Sequence, residues 1–402
     1  MSATVIYPTR LATSSLAGKV KPDGRTVLVS DDGTITAQLA LVKVGYERYD
    51  SEAIVEGDGS DVFTFPNLVS IAAGQFMGST VSDVRAASFP ACMTVGTNAF
   101  MDNKAIGSVD LPKCRWIGAA AFEGCANLSH VSFPACESVG YRAFFNCFGL
   151  TGTMEVPAGY VGDGAFGRCT GITSVRMNSC ERTGSFAFSG CTSLSSVSMP
   201  LLKEVGSCAF MGCTSLSSVT LPRCKTVHAY AFSGCSRLES VTLSACDYVG
   251  ALAFQDCSSL RYVSMPECMD VGSSAFKKCA SLSSITLPTC QSLGEDAFVC
   301  CYSLASVSLA SCRYVGREAF RECTSLSKIS LPACTTISAG AFYGCSALSE
   351  VTLMRNTVVR LESTDTFIGT RSDLRVVVPS VLLGLYRHAS FWSALSSRII
   401  AG

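Results

Sequence analysis

The sequence predicts an α/β repeat solenoid, in which 22-residue coils stack into a long parallel β-sheet on one face and a C-terminal helix caps the end. Two observations carry this. Phenylalanine recurs at Phe100, Phe122, Phe144, Phe166, Phe188, Phe210, Phe232, Phe254, Phe276, Phe298, Phe320 and Phe342, a spacing of 22 without slippage, and each is preceded by alanine, from Ala99 to Ala341. Between these residues a short alternating apolar segment returns at a fixed offset, as at Val219 and Leu221. A strict period of this length means that one unit cannot bury its apolar face alone and must stack on its neighbours. Looser copies at Phe76 and Phe367 extend the array, with spacings of 24 and 25.

One unit, read from Phe210, runs F-M-G-C-T-S-L-S-S-V-T-L-P-R-C-K-T-V-H-A-Y-A. In it Leu216, Val219, Leu221 and Cys224 form L-x-x-V-x-L-x-x-C, a leucine-rich-repeat pattern. Val219 and Leu221 alternate with Ser218 and Thr220, so a strand there turns the first pair inward and the second outward. Pro222 ends the strand because it has no N–H to give the ladder. Cys224 and Val227 then turn the chain toward the outer face. A small residue, usually glycine as at Gly206, Gly250, Gly272, Gly294 and Gly316, is expected to allow a tight corner. Ala231 and Phe232 bring the chain back, the alanine because the corner is crowded and the phenylalanine to fill the centre. Strand-like segments from Phe63-Thr64-Phe65 to Val376-Val377-Val378 give about fifteen strands, a sheet about 70 Å long at about 4.8 Å per strand.

Three regions follow: residues 1–60 lack the repeat, 61–379 carry it, and 380–402 close it. In residues 381–395, VLLGLYRHASFWSAL, the side chains of Leu382, Leu385, Tyr386 and Trp392 predict an amphipathic capping helix. In the first region, residues 26–30 and 34–37 flank Asp31-Asp32-Gly33, a hairpin signal, so that 1–60 reads as a cap or as a small β-rich domain. At Leu150 the strand reads L-T-G-T-M-E-V-P, one residue longer than elsewhere, while the next corner is one shorter. A local bulge is expected there.

Composition narrows the function. With 31 basic and 31 acidic side chains the formal charge is zero, which gives no electrostatic drive toward nucleic acid or an anionic membrane. No apolar run is long enough for a membrane span, and the opening MSATVIYPTRLATSSLAGKVK has no basic start followed by an apolar core, so neither membrane insertion nor a secretory signal is expected. The 23 cysteines align in two ladders, one of eleven from Cys125 to Cys345, each three residues after a repeat phenylalanine, and one of ten from Cys92 to Cys334 past the strands, with only Cys208 and Cys300 outside. Consecutive ladder cysteines are typically 11 residues apart, on different corners of a coil, a spacing unlike that of a zinc site. Stacked equivalents have parallel Cβ vectors about 5 Å apart, wider than a disulfide wants. The expected state is a buried thiol acting as a small hydrophobe with a weak S–H donor. His130, His228 and His388 form no pair at ligand spacing, and HExxH, GxSxG and GxxxxGK[ST] motifs are absent. No catalytic residue, metal or cofactor is expected.

The units AFxGCxSLxSVxLPxCxxVG resemble the BspA-like leucine-rich repeats of bacterial and protozoan surface proteins. The likeness covers roughly residues 62–380, and LRVVVPSVLLGLYRHASFWSALSSRI at 374–399 is similar to the end often seen in that family. The resemblance implies a non-enzymatic adhesion protein whose partner is a protein or glycan on a host or neighbouring cell surface. Many members carry a signal peptide or wall anchor, and the segments read above show neither. Related repeats in phage and prophage proteins imply an alternative, a receptor-binding or fibre component docked through residues 1–60.

Outward strand positions are mostly hydroxyls, among them Ser196, Ser198, Ser218, Thr220, Ser284 and Thr286. Asp110, His130, Arg176, Tyr262, Lys328 and Glu350 break that rule, and Trp116, Tyr248 and Tyr314 lie two residues past a ladder cysteine, in what reads as loop. Aromatic and arginine side chains concentrate binding energy. The expected contact surface therefore runs across Trp116, His130, Arg176, Tyr248, Tyr262, Tyr314 and Lys328. Ice binding through regular hydroxyl rows is disfavoured, because Tyr262, Lys328 and Glu350 interrupt them.

Overall fold

The computed structural model describes residues 17–20, 26–29, 35–40, 52–56, 62–65, 67–78 and 85–402. The chain forms two compact units, residues 1–151 with 155–158, and residues 152–154 with 159–402. Both are wound from parallel coils of the predicted period.

In the second unit the coil beginning at Phe210 shows why the repeat folds as it does. Phe210, Cys213, Leu216, Val219, Leu221, Cys224, Val227 and Ala231 are each at most 1% exposed, so these eight rows make up the interior. Ser218–Thr220 is the predicted strand, and it pairs in parallel with Ser240–Thr242 of the next coil. After a corner at Pro222, Thr226–Val227 forms a second, two-residue strand that pairs with Tyr248–Val249. The sequence predicts one ladder of strands; the structure adds a second, of two-residue strands. The second is illegible in T-V-H-A because two residues with a single inward valine satisfy a strand and a corner alike.

The third side carries no strand, yet it too is bonded from coil to coil. The N–H groups of Cys208, Phe210 and Gly212 donate to the carbonyls of Ala229, Ala231 and Ser233 at 2.8–2.9 Å. Between them, Ala209, Met211 and Cys213 donate backward within their own coil. This alternation requires left-handed backbone on either side of the phenylalanine, and Cys208 and Gly212 take φ values of 56° and 71°. In the coil of Phe298 those positions are Asp296 and Cys300, at 59° and 61°. The two cysteines outside the ladders thus share one kind of site, at the surface turn. Cys300 is partly exposed, whereas Cys208 is buried. The glycines at the preceding corner answer to space rather than to φ. A Cβ on Gly272 would lie 2.7 Å from Ala251 N and Gly250 C, so successive backbones touch there.

Phenylalanine fills the centre. From Phe166 to Phe367 consecutive rings stack at centroid distances of 5.2–5.5 Å and within 8° of parallel. The segment predicted to be one capping helix is shorter and broken. Only Leu383–His388 is α-helical, Ala389 is extended, and Phe391 turns at φ 64° before the 3₁₀ stretch Trp392–Arg398. Leu385 is 61% exposed, while Tyr386 and Trp392 are buried. Trp392 leans on Phe367 at 6.1 Å and meets Tyr386 edge to face. The Trp392 indole N–H donates to the Val359 carbonyl at 2.7 Å, and the Val359 N–H donates to the Tyr386 hydroxyl at 3.0 Å. These two side chains supply the partners that another coil would otherwise give. Ile399–Ala401 then adds a last parallel strand to Arg375–Val378.

In the first unit, Ser108–Asp110 and His130–Ser132 pair in parallel, as do Trp116–Ile117 and Ser138–Val139. Phe76, Phe100, Phe122 and Phe144 stack at 4.8–5.0 Å. Ahead of the coils, Thr26–Val29 pairs antiparallel with Ile35–Ala40, as the hairpin signal predicts; its Asp31-Asp32-Gly33 turn lies outside the described residues. Glu52–Glu56 pairs antiparallel with Ile35–Ala40 and with Val62–Thr64, which runs parallel to Ala86–Ser88. At the irregular coil, Gly152–Glu155 is a four-residue strand with Gly152 at φ 74°, one residue longer than Ser218–Thr220.

The thiols complete the interior. Cysteines three places after a phenylalanine donate S–H to the phenylalanine carbonyl of the preceding coil, as Cys213 does to Phe188 at 3.2 Å and Cys257 to Phe232 at 3.2 Å. Second-ladder thiols donate to the carbonyl two residues on, as Cys246 does to Tyr248 at 3.3 Å. Burial raises them from an ordinary 9.0, Cys246 to about 11 and Cys224 to about 12.

Phe254→Ala should cost about 3–5 kcal/mol in denaturant unfolding, as for other buried aromatics, and a loss under about 1 kcal/mol would show that the stack is not the core. Gly272→Ala should cost about 1–3 kcal/mol through backbone contact. The thiols set a pH limit. Their native values lie above the unfolded value, so stability is fully present below pH 9 and is lost as pH rises from there toward the native values. Each buried thiol takes away about 1.4 kcal/mol per pH unit in that window. Circular dichroism under reducing conditions should therefore show cooperative unfolding beginning just above pH 9, and retention of full structure at about pH 11 would contradict it.

Candidate interaction surfaces

Because both ladders are parallel and in register, a residue type at one outward position becomes a row, and neighbours in that row lie one strand spacing apart, about 4.8 Å. Opposite charges in adjacent coils consequently pair across the ladder. In the second unit Arg182 meets Glu204 at 2.9 Å and Lys203 meets Glu181 at 2.8 Å. On the three-residue strands Glu350 takes Arg375 at 2.8 Å and Lys328 at 3.7 Å. Hydroxyls pair likewise, Ser196 Oγ donating to Ser174 Oγ at 3.0 Å.

The predicted residues fall on different faces. In the second unit Arg176 ends the five-residue strand Ile172–Arg176, beside Ser198, while Tyr262, beside Ser240, and Lys328, beside Glu350, stand on three-residue strands. Tyr262 is the most open of these aromatics at 58% exposed, and Lys328 is already engaged by Glu350. Tyr248 and Tyr314 stand on the two-residue strands, past the corners at Ser244 and Ala310. They are strand residues, not loop residues, and the hydroxyl of Tyr314 accepts a hydrogen bond from Ser338 Oγ at 3.0 Å. Within the second unit the predicted positions therefore divide between two ladders of strands. In the first unit the same division holds: exposed His130 is on a three-residue strand and Trp116 on a two-residue strand. The Arg115 guanidinium lies 5.0 Å from the Trp116 ring centre and also binds Glu137 through Nε at 2.7 Å.

Two features escaped the sequence reading. Tyr160, exposed on Tyr160–Val161, occupies the same row as Tyr248 and Tyr314. A search keyed to two residues past a ladder cysteine passes over it, because that ladder position holds Ala158. The second is an open groove of about 440 Å³ beside the two-residue strands, walled by Lys225, Asp247, Glu267, Met269, Gln291 and Arg313. Among the described residues no group of three His, Cys, Asp or Glu side chains could hold a metal ion, and no helix is long and apolar enough to cross a membrane.

Known proteins place this architecture. The solved structure of a leucine-rich repeat protein from Bacteroides ovatus ATCC 8483 is 23% identical, over 90% of this chain and 99% of that one, with a TM-score of 0.57. A leucine rich cell surface protein from Faecalibacterium prausnitzii A2-165 is 20% identical over 89% and 98% of the two chains, with a TM-score of 0.41. The leucine-rich repeat protein of T. pallidum is 25% identical over 54% and 82%, with a TM-score of 0.34. No curated protein matches the sequence. Residues 60–173, 159–271 and 247–370 each match the BspA type leucine-rich repeat region (6 copies). Since these matches span most of the chain and the first of these structures repeats the fold, this chain belongs to the BspA-type leucine-rich repeat family.

Proposed function

We propose that the chain is a non-enzymatic recognition scaffold of the adhesion type, holding a protein or glycan partner against its outward strand faces. The single observation that supports this most is the presentation of exposed aromatic rings from strands bonded on both sides. Tyr262 stands between the Ser240 and Ser284 strands at 58% exposed, and Tyr248 and Tyr314 are about two-fifths exposed on the other ladder. A ring fixed on a strand loses little freedom on binding, which is what a hot spot requires. Stacked coils give a rigid surface of this kind as their usual binding face. Among the described residues no group of three His, Cys, Asp or Glu side chains is gathered as a metal site, and exposed rings on fixed strands favour binding over catalysis.

The test uses the full chain immobilised and probed with purified extracellular-matrix proteins and glycans. Tyr262→Ala alone and Tyr248→Ala with Tyr314→Ala should separate the two faces. One of the two variants should weaken capture by at least about tenfold. Thermal unfolding should be unchanged within about 0.5 kcal/mol, since these side chains are on the surface. Equal capture by both variants and the parent would overturn the reading.

A further inference from the structure

We infer that the groove beside the two-residue strands of the second unit is a binding site for a neutral oligosaccharide. This rests on the recognition reading above and narrows it to one ligand chemistry and one face.

The first argument is electrostatic. Elsewhere on this ladder charges in neighbouring coils are consumed in pairs, Glu181 with Lys203 and Arg182 with Glu204. In the groove they are not. Lys225, Asp247, Glu267 and Arg313 line it, and among the described residues none of the four makes an ion pair or a side-chain hydrogen bond, although Lys225 and Asp247 are neighbours in one row. Gln291 adds an amide whose donor and acceptor are likewise unused. Two cations, two anions and an amide leave the site with no net charge but with many unfilled donors and acceptors. Such a set suits a ligand that is uncharged and dense in groups able to both give and accept hydrogen bonds. Carboxylate and guanidinium groups each grip a pair of adjacent hydroxyls in bidentate fashion.

The second argument is shape. The walls run from Lys225 to Arg313, four coil steps, or about 19 Å at the strand spacing. That length fits several sugar units rather than one. Tyr248 and Tyr314 rise from the adjoining row three steps apart, both more than two-fifths exposed, with Asp270 and Ser292 between them. An aromatic face carries partial negative charge and receives the C–H face of a pyranose. The floor is fixed: Thr289 Oγ1 donates to the Pro266 and Cys268 carbonyls at 2.9 and 3.0 Å, and Ser311 Oγ donates to the Pro288 carbonyl at 2.6 Å. Met269 is the only apolar wall residue, too little for the apolar anchor on which a peptide partner depends. A nucleic acid would need a cationic excess that the site lacks.

The experiment probes the full chain with an array of neutral hexasaccharides: α- and β-linked glucans, a mannan and an N-acetylglucosamine oligomer. Asp247→Asn combined with Gln291→Ala removes groove acceptors, Tyr248→Ala combined with Tyr314→Ala removes the rings, and Tyr262→Ala marks the other face. At least one hexasaccharide should bind, and each groove double variant should weaken it by at least about tenfold while Tyr262→Ala leaves it unchanged. Unchanged thermal unfolding of Asp247→Asn with Gln291→Ala shows that the loss is local. Binding to none of the array, or binding indifferent to both groove variants, overturns the inference. Capture of a matrix protein through the groove that survives periodate destruction of its sugars also overturns it and leaves the recognition reading standing. Capture of neither sugar nor protein removes both.

Discussion

The period of 22 is enforced by hydrogen bonds on every side of the coil. Within the second unit, Ser218–Thr220 and Thr226–Val227 are each paired exactly one repeat ahead, and the turn containing Phe210 donates three N–H groups to the turn that follows. A residue inserted on one side would pull the other two out of register, since a one-residue slip in a strand reverses every side chain. The sequence around Leu150 obeys this constraint by lengthening a strand and shortening the next corner by the same amount. Once the backbone is locked in this way, the phenylalanine rings have no choice but to stack, and their 5.2–5.5 Å spacing follows from coil spacing rather than from any preference of the rings.

The same lock explains the choice of cysteine. A carbonyl such as that of Phe188 already accepts the Cys191 N–H of its own turn, and it has a second lone pair facing a dry interior. The thiol of Cys213 reaches it from the next coil. Valine would fill the space and leave that lone pair unused, and serine would bring a hydroxyl whose desolvation is harder to offset. Sulfur is large enough to pack and polar enough to donate weakly. The cost is a pH ceiling, because a thiolate has no place in that interior.

The fold was legible because its signal is repeated: inward valine, leucine, cysteine and phenylalanine recur at fixed offsets, and any one coil could have been misread without harm. The parts that failed are those where one residue's role depends on its neighbours. Thr226–Val227 looks like a corner until its partner Tyr248–Val249 is known. Residues 381–395 have an apolar stripe, but Ala389 and Phe391 leave the helical region so that Trp392 can reach Val359, and Leu385 is left in solvent. The exposure of the interaction residues is legible in the sequence, but their distribution over two kinds of strand is not. Tyr262 and Tyr314 are both exposed, but their strands belong to different sheets, which a spacing rule along the chain does not show.

A repeat scaffold separates stability from recognition more cleanly than a globular core does. Inward rows are fixed by packing, so selection acts on outward positions with little effect on the fold. What those positions do then depends on whether a row is self-satisfied. Where Arg182 faces Glu204, or Glu350 faces Lys328 and Arg375, the row consumes its own charges and presents little that a ligand could use. Where Lys225, Asp247, Glu267 and Arg313 stay unpaired around a groove, desolvating them is worthwhile only if a ligand supplies what the ladder does not. The distinction between paired and unpaired rows, rather than the mere presence of charged or aromatic residues, separates a surface that merely covers the coils from one able to hold a partner.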